Sequence, residues 1–305
     1  MNPFQSAANA PGNVPLPPDL MLQVERALAE DIGAGDLTAD LIPTDRHGHA
    51  AIATREAAVI CGEPYVDATF AKLDPAVRVE WEIAEGAWAE PGQRLCAITG
   101  PARALLTGER TALNFLQLLS ATATAAHRFA AAVAGTRCIV LDTRKTIPGL
   151  RTAQKYAVRI GGAQNHRIGL FDGILIKENH IMAAGGIGAA VAAARRLHPA
   201  AAVEVEVESL AELREAIAAG ADAALIDDFS TAQMREAVAI NAACRSPLKI
   251  EVSGGVSAEN LAAIAATGVD FVSAGAITKH LRAIDLSMRF DWGGPADGSA
   301  DRRGL

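Results

Sequence analysis

The fold of this chain is decided by residues 203–208, which read VEVEVE. Side chains alternate between the two faces of a β-strand, so the three valines share one face and the three glutamates share the other. A parallel strand that helices cover on both faces is usually apolar throughout. Three carboxylates on one face instead favour an α/β barrel, in which the glutamates face a polar lumen and are compensated by cations from neighbouring strands.

Five further segments have strand character and alternate with alanine-rich helical patterns from residue 137 onward. They are residues 137–142 (RCIVLD), 173–177 (GILIK), 223–227 (AALID), 248–252 (LKIEV) and 269–273 (VDFVS). Helical stretches lie between them, such as 210–219 and 258–266, and a glycine follows each. Repeated βα units indicate a parallel sheet. Their periodicity alone fits either an open doubly wound sheet or most of a (β/α) barrel.

The N-terminal third has a different pattern, which predicts an α+β module. Its predicted elements are a helix over residues 18–30 and strands over 49–55, 77–81 and 94–98. A long helix follows, with apolar positions at helical spacing between Leu105 and Leu119, and leads into the barrel. The first twenty residues carry neither a basic segment nor a continuous apolar stretch, so we interpret them as an extended arm and not as a secretion signal.

Composition excludes several classes of function. Of 305 residues, 50% are hydrophobic and 21% are charged, which predicts a substantial core and excludes disorder for most of the chain. The formal net charge of −7 argues against nucleic-acid binding, because a phosphate backbone selects clustered cations. No apolar run approaches the roughly 18 residues of a membrane span, so a cytoplasmic protein is predicted. The four scattered cysteines predict buried reduced thiols and no zinc site.

Residues 142–180 carry an unusual excess of positive charge, with seven Lys or Arg against three acids. The helical spacing of Arg151, Lys155 and Arg159 favours a solvated helix face for these three. The other candidates follow predicted strands or lie in the loop between them, and they are Arg144, Lys145, His166, Arg167 and Lys177. Because the carboxyl ends of parallel strands converge on the ligand, we predict a ligand with several carboxylate or phosphate groups.

The later strand ends carry carboxylates and glycine-rich loops. Glu206 lies on the lumen side of its strand, and Asp227 ends the next strand. The two loops consist of Ser253, Gly254 and Gly255, and of Ala274, Gly275 and Ala276. Such loops let backbone N–H groups approach a phosphate closely, and carboxylates beside them could hold sugar hydroxyls or a metal.

Seven stretches are similar to the quinolinate phosphoribosyltransferase family of NAD biosynthesis. They are DTRKTIPGLR (142–151), GGAQNHRIGL (161–170), LIKENHI (175–181), VEVEVES (203–209), ALIDDF (224–229), EVSGGVS (251–257) and GVDFVSAGAITKH (268–280). The resemblance extends from DIGAGDLT (31–38) through GERTALNFLQ (108–117) to DLSMRF (285–290). Motifs of this length in this order are highly specific. Gly255 departs from the family's SGN-type loop, in which Asn is common.

The resemblance implies an incomplete, seven-stranded α/β barrel with an N-terminal open α/β sandwich domain. The sandwich domain would comprise residues 1–118, joined by 281–305, and the barrel would comprise 119–280. The family also implies a homodimer with active sites at the subunit interface, from which a hexamer could be built.

The resemblance assigns roles to the candidate residues. Quinolinate would be bound by Arg144, His166, Arg167 and Lys177, together with Arg110 from the neighbouring subunit. The sugar donor, 5-phosphoribosyl 1-pyrophosphate, would be held by Lys145 and the two glycine loops, with Thr143 as a further substrate contact. Glu206 and Asp227 would hold the ribose hydroxyls and Mg²⁺, and these two acids with Lys145 and Lys177 would form the catalytic set.

This reaction would need no general base, because the pyridine nitrogen of quinolinate already carries the attacking lone pair. Mg²⁺, Lys145 and Lys177 would stabilise the departing pyrophosphate. Three alternatives stay open from the residues alone. They are a nicotinate phosphoribosyltransferase on the same barrel, an aldolase-like barrel with Lys177 as a Schiff-base lysine, and a non-catalytic anion-binding sensor.

Overall fold

The structure, a computed structural model, describes residues 14–292. The described chain divides into two compact units, one formed by residues 18–121 and 282–292 and the other by 122–281 with 14–17. Most of the predicted N-terminal arm, and the chain after residue 292, lie outside the described residues. In residues 14–292, no helix is both long and apolar enough to cross a membrane.

The unit formed mainly by residues 18–121 is built on a four-stranded antiparallel sheet with the strand order β12-β1-β5-β3. Its helices are α1 (Leu20–Ile32), α2 (Glu63–Leu73) and the first part of α3 (Ala102–Ala132). Its strands are β1 (His47–Thr54), β2 (Ala58–Val59), β3 (Arg78–Trp81), β4 (Trp88–Ala89), β5 (Arg94–Pro101) and β12 (Leu286–Asp291). The predicted first helix, the three strands and the long helix are confirmed.

The unit formed mainly by residues 122–281 contains a six-stranded parallel sheet in the order β6-β11-β10-β9-β8-β7. The strands are β6 (Ile139–Leu141), β7 (Ile174–Ile176), β8 (Val203–Val207), β9 (Ala223–Asp227), β10 (Lys249–Ser253) and β11 (Phe271–Ser273). The helices are α4 (Arg151–Ile160), α5 (Glu178–Ala184), α6 (Ile187–Leu197), α7 (Leu210–Ala218), α8 (Thr231–Ala242), α9 (Leu261–Ala265) and α10 (Ala276–Lys279). All six predicted strands and their parallel pairing are confirmed.

Strand β8 has the predicted division of its two faces. Its valines are completely buried in the main hydrophobic cluster, together with small helix residues such as Ala190, Ala194 and Ala216. Alanines at these positions let the helices approach the sheet closely. Glu204, on the opposite face, is 1% exposed. Glu208 follows the last residue of β8 and is exposed, so it does not share the buried environment of Glu204.

All four cysteines are free, and three of them are buried. The prediction of buried thiols is therefore confirmed for three of the four, while Cys244 is partly exposed.

Candidate active site

The candidate residues of the unit formed mainly by 122–281 gather at one edge of its parallel sheet, because parallel strands share the edge at which they end. Thr143, Arg144 and Lys145 follow β6, Lys177 follows β7, Glu206 lies near the end of β8, and Asp227 and Ser253 end β9 and β10. Gly254 and Gly255 continue from β10, while Ala274, Gly275 and Ala276 connect β11 to α10. Arg110 is an exposed residue of α3 in the other unit.

The cationic part of this edge holds two neighbouring guanidinium groups. Burial and the positive charge of Arg144 both lower the pKa of Arg167. Arg167 Nη1 donates a hydrogen bond to Gly173 O at 3.1 Å, and Arg144 Nε is buried with no hydrogen-bond partner in residues 14–292. Two close cations with a free buried donor are costly unless an anion lies between them. This pair therefore fits a negatively charged substrate.

The acidic part consists of carboxylates next to glycine loops. Glu206 forms an ion pair with Lys177. Burial, Glu206 and Asp228 raise the pKa of Asp227, and Lys177 and Lys145 oppose this effect. Crowded carboxylates of this kind favour an added cation, and oxygen ligands suit Mg²⁺.

Gly254 leaves the space beside these acids open. A Cβ at this position would lie 2.7 Å from Asp227 Oδ1 and 2.8 Å from Asp228 Oδ1, and the φ of Gly254 is +81°. Gly275 has a similar role beside Lys145, because its Cβ would lie 2.9 Å from Lys145 Cδ. Asp228, at a φ of 53°, was not predicted as part of the site, although ALIDDF contains it. Both glycines thus keep the edge open where a phosphate could approach.

Lys155 is buried, so the prediction of a solvated helix face is wrong for this residue. Its helical spacing favoured a solvated face, but its side chain is only 3% exposed. Lys155 Nζ donates to Asp142 Oδ1 at 2.5 Å and to His166 O at 2.8 Å. Asp142 also accepts from Asn165 Nδ2 at 2.6 Å and from His166 N at 2.9 Å. The prediction failed because α4 packs this face under the 164–167 loop, and the ion pair fixes the backbone of that loop.

His166 is held at both ring nitrogens. Nε2 lies 3.0 Å from Glu204 Oε2 and 3.4 Å from Glu251 Oε2, and Nδ1 accepts a 2.7 Å hydrogen bond from Arg167 N. Burial lowers the pKa of His166, whereas the two carboxylates raise it to about 10. An imidazolium would direct Nδ1–H against the backbone N–H of Arg167. A pKa of about 10 would favour the imidazolium near neutral pH, but the 2.7 Å contact with Arg167 N leaves no place for a proton on Nδ1; the geometry decides, and we assign the neutral ring with its proton on Nε2.

Two buried glutamates lie beneath this histidine. Burial and the neighbouring carboxylate of Glu251 raise the pKa of Glu204 to about 8. The ligand atoms of His166, Glu204 and Glu251 all lie within 4.8 Å of one another, a spacing that a metal ion could also use. Sequence reasoning placed Glu204 in the lumen but missed Glu251, whose alternation in LKIEV was the available signal.

The fold and the site define an α/β enzyme that binds polyanionic substrates at the carboxyl ends of its parallel strands. Residues 122–289 match the model of the quinolinate phosphoribosyl transferase C-terminal domain, and residues 36–120 match that of the N-terminal domain. The chain therefore belongs to the quinolinate phosphoribosyltransferase family, whose members are pentosyltransferases of pyridine nucleotide biosynthesis. The predicted family resemblance is confirmed.

Individual relatives cover nearly the whole chain. The probable nicotinate-nucleotide pyrophosphorylase (carboxylating) of Synechocystis is 40% identical over 277 residues, which cover 90% of this chain and 94% of the relative. The enzyme of the same name from Mycobacterium leprae is 40% identical over 272 residues, covering 87% and 95%. The solved nicotinate-nucleotide pyrophosphorylase of Francisella tularensis has a TM-score of 0.87 at 45% identity, covering 93% of this chain and 100% of that chain.

The human nicotinic acid phosphoribosyltransferase shares the fold alone, with a TM-score of 0.56 at 16% identity, covering 89% of this chain and 73% of that chain. The fold by itself does not decide between the two pyridine substrates, so the side chains of the site must.

Proposed function

We propose that this protein transfers the phosphoribosyl group of 5-phosphoribosyl 1-pyrophosphate to quinolinate with decarboxylation, giving nicotinate mononucleotide, pyrophosphate and CO₂. The observation that carries this proposal is the neighbouring pair Arg144 and Arg167, whose two charges and free Arg144 Nε donor suit a ligand with two adjacent carboxylates. Lys177 supplies a third cation at the same edge. Nicotinate lacks one carboxylate and would leave part of this positive charge unpaired.

The sugar donor occupies the acidic and glycine-lined part of the edge. The ribose hydroxyls bind to Glu206 and Asp227, and the phosphates bind to Lys145 and the backbone of the two glycine loops. The crowded carboxylates at Asp227 fit Mg²⁺, which Glu206 and Asp227 would hold and which would neutralise charge on the pyrophosphate. Gly255 provides backbone contacts only, because it has no side chain.

In this reaction the protein orients the two substrates and neutralises the charge that develops on them. The pyridine nitrogen attacks the anomeric carbon while the bond to pyrophosphate breaks, so negative charge grows on the leaving group. Lys145 and Lys177 stabilise that charge, and the two acids tolerate the positive charge that develops on the ribose. Once the nitrogen is quaternary, CO₂ leaves from the adjacent carbon and a proton replaces it.

A substrate comparison tests the proposed activity. With the same sugar donor and Mg²⁺, we expect quinolinate to release stoichiometric CO₂ and pyrophosphate, and nicotinate to be turned over at least about 100-fold less efficiently, because buried cations then lack a partner. The measurement is kcat/KM for each pyridine. Equal efficiency would favour a nicotinate enzyme. Binding of quinolinate without product would favour the sensor, and a borohydride-trapped adduct at Lys177 would favour the aldolase-like alternative.

We propose two further properties that the family resemblance implies. One is a seven-stranded incomplete barrel with an N-terminal sandwich, which is supported by the parallel bridge from Leu141 to Gln164 beside the six strands. The other is a cytoplasmic homodimer. Leu170 and Phe171, 76% and 85% exposed in the loop after Arg167, support the dimer because a partner subunit would cover them.

Mixed dimers test the shared site. If Arg110 completes the partner's pocket, the Arg110→Ala and Arg167→Ala enzymes are each inactive, but a mixture with exchanged subunits regains about a quarter of wild-type activity. The reason is that one of the two sites in each mixed dimer has both arginines, and about half of all dimers are mixed. The measurement is CO₂ release after subunit exchange, verified with tagged chains. No recovery despite exchange would contradict a shared site.

A further inference from the structure

The ring of His166 is fully engaged within the protein. Nδ1 accepts from Arg167 N at 2.7 Å, and Nε2 faces Glu204 Oε2 at 3.0 Å. The residue is 8% exposed. A neutral imidazole has one donor and one acceptor, so this arrangement leaves no ring N–H for a substrate carboxylate. The contacts therefore point to a role for His166 other than direct binding.

The hydrogen bonds run in one direction through the ring. Arg167 N–H donates to Nδ1, and Nε2–H donates to Glu204. The proton on Nε2 leaves Nδ1 free to accept, so the acceptor beneath the ring fixes the tautomer that Arg167 needs. Glu204 is 1% exposed, and its Oε2 lies 3.0 Å from Nε2, so it is the acceptor that can fix this tautomer.

Glu251, on strand β10, also lies next to the ring of His166. Both of its carboxylate oxygens and Glu204 Oε1 are buried with no hydrogen-bond partner in the described part of the chain. Burying two carboxyl groups that lack other partners destabilises a fold. Their presence therefore indicates a functional role and not a stabilising one. Their common neighbour is the imidazole of His166.

These contacts fix the position of Arg167. Its backbone N–H is fixed by His166, and its guanidinium is fixed on one side by the 3.1 Å hydrogen bond from Nη1 to Gly173 O. Fixing both the backbone and the guanidinium of Arg167 reduces the entropy that the side chain loses when it binds a carboxylate. The next residue, Ile168, is in turn tied by its N–H to Asp172 at 2.7 Å.

We propose that Glu204 and Glu251 are positioning residues, which act through the tautomer and orientation of His166 to hold Arg167 ready for the dicarboxylate. This inference rests on the proposed quinolinate site. It concerns recognition of the pyridine substrate and not of the sugar donor. It therefore predicts an effect on the KM for quinolinate and not on the KM for the sugar donor.

A matched pair of variants tests the proposal. Glu204→Gln keeps an acceptor oxygen for Nε2–H, whereas Glu204→Leu has a similar volume and no acceptor. We expect Glu204→Leu to raise the KM for quinolinate about tenfold, the effect of about one hydrogen bond, and to leave the KM for the sugar donor within about twofold. Glu204→Gln is expected to restore most of the affinity. A thermal midpoint for each variant identifies loss of folding.

Spectroscopy gives a second readout that needs no turnover. In protein labelled with ¹⁵N-histidine, the His166 signals, assigned with His166→Asn, are expected to show protonated Nε2 and unprotonated Nδ1. Glu204→Leu or Glu251→Leu should change that pattern. If one of these variants fails to fold, the other carries the test.

The outcomes separate the inference from the proposed function. If Arg167→Ala raises the KM for quinolinate and Glu204→Leu does not, the positioning role is wrong while the substrate assignment stands. If neither variant changes this KM, the proposed quinolinate site is wrong. An Nδ1–H tautomer, an imidazolium in the free enzyme, or a stoichiometric metal that is lost in Glu204→Leu would each overturn the proposal.

Discussion

Replacing Arg167 with alanine is expected to raise the KM for quinolinate about 100-fold or more while the protein stays folded. The change removes one of two neighbouring guanidinium groups at the site and with it a charge-assisted contact to a carboxylate, a loss of about 3 kcal/mol. Folding should be little affected, because within residues 14–292 the side chain donates one hydrogen bond, to Gly173 O. Initial-rate kinetics with each substrate varied in turn provide the measurement.

Two matched variants make this experiment decisive. Arg167→Lys keeps the positive charge but loses the planar fork, so it should recover only part of the affinity. Arg235, an exposed residue of α8, provides a control in which an arginine is removed away from the strand ends, and Arg235→Ala should behave as wild type. An unchanged KM for quinolinate in Arg167→Ala, with the protein folded, would contradict the assignment of this residue.

The sequence predicted the six-stranded parallel sheet well because its signals are local. Each strand is a short apolar run bounded by helical patterns, and the alternation in β8 correctly separated the valines of the outer core from Glu204. The sequence of β10 was the least informative about which face of the sheet each side chain occupies. Its single glutamate, Glu251, alternates with the apolar residues of LKIEV, but one glutamate is a weaker signal than the three after the valines of β8, and its pairing with Leu225 and Phe271 fixes its orientation.

The sequence predicts the site residues that end strands, but it does not predict the buried residues that support them. Lys177, Glu206 and Asp227 follow from strand ends, because topology alone brings such positions together. Lys155 is different, since its helical spacing is the same on a solvated face and on a buried one. Its burial depends on how α4 packs against the 164–167 loop, which is a tertiary property that no local pattern contains.

Lys155→Met is expected to lower the free energy of unfolding by about 3–5 kcal/mol, because it leaves the buried charge of Asp142 without its cation. Asp142 is 0% exposed at its side chain, so water cannot replace the ammonium group. The measurement is urea unfolding of the purified protein. Lys249→Met removes a lysine from a more exposed ion pair with Asp270, at 3.1 Å and 48% exposure of the lysine, and should cost at most about 1 kcal/mol. Equal losses would contradict the burial argument.

The double variant Lys155→Met, Asp142→Asn separates stability from function. Burial raises the pKa of Asp142 and lowers that of Lys155, which means that the fold holds both groups charged at a cost. Removing both charges should therefore recover much of the lost stability. Lys155 Nζ, however, also holds His166 O, and Asp142 holds His166 N. If the pair serves to fix this loop, the double variant regains stability and still shows a raised KM for quinolinate. Recovery of both properties would mean that the ion pair has no role in substrate recognition.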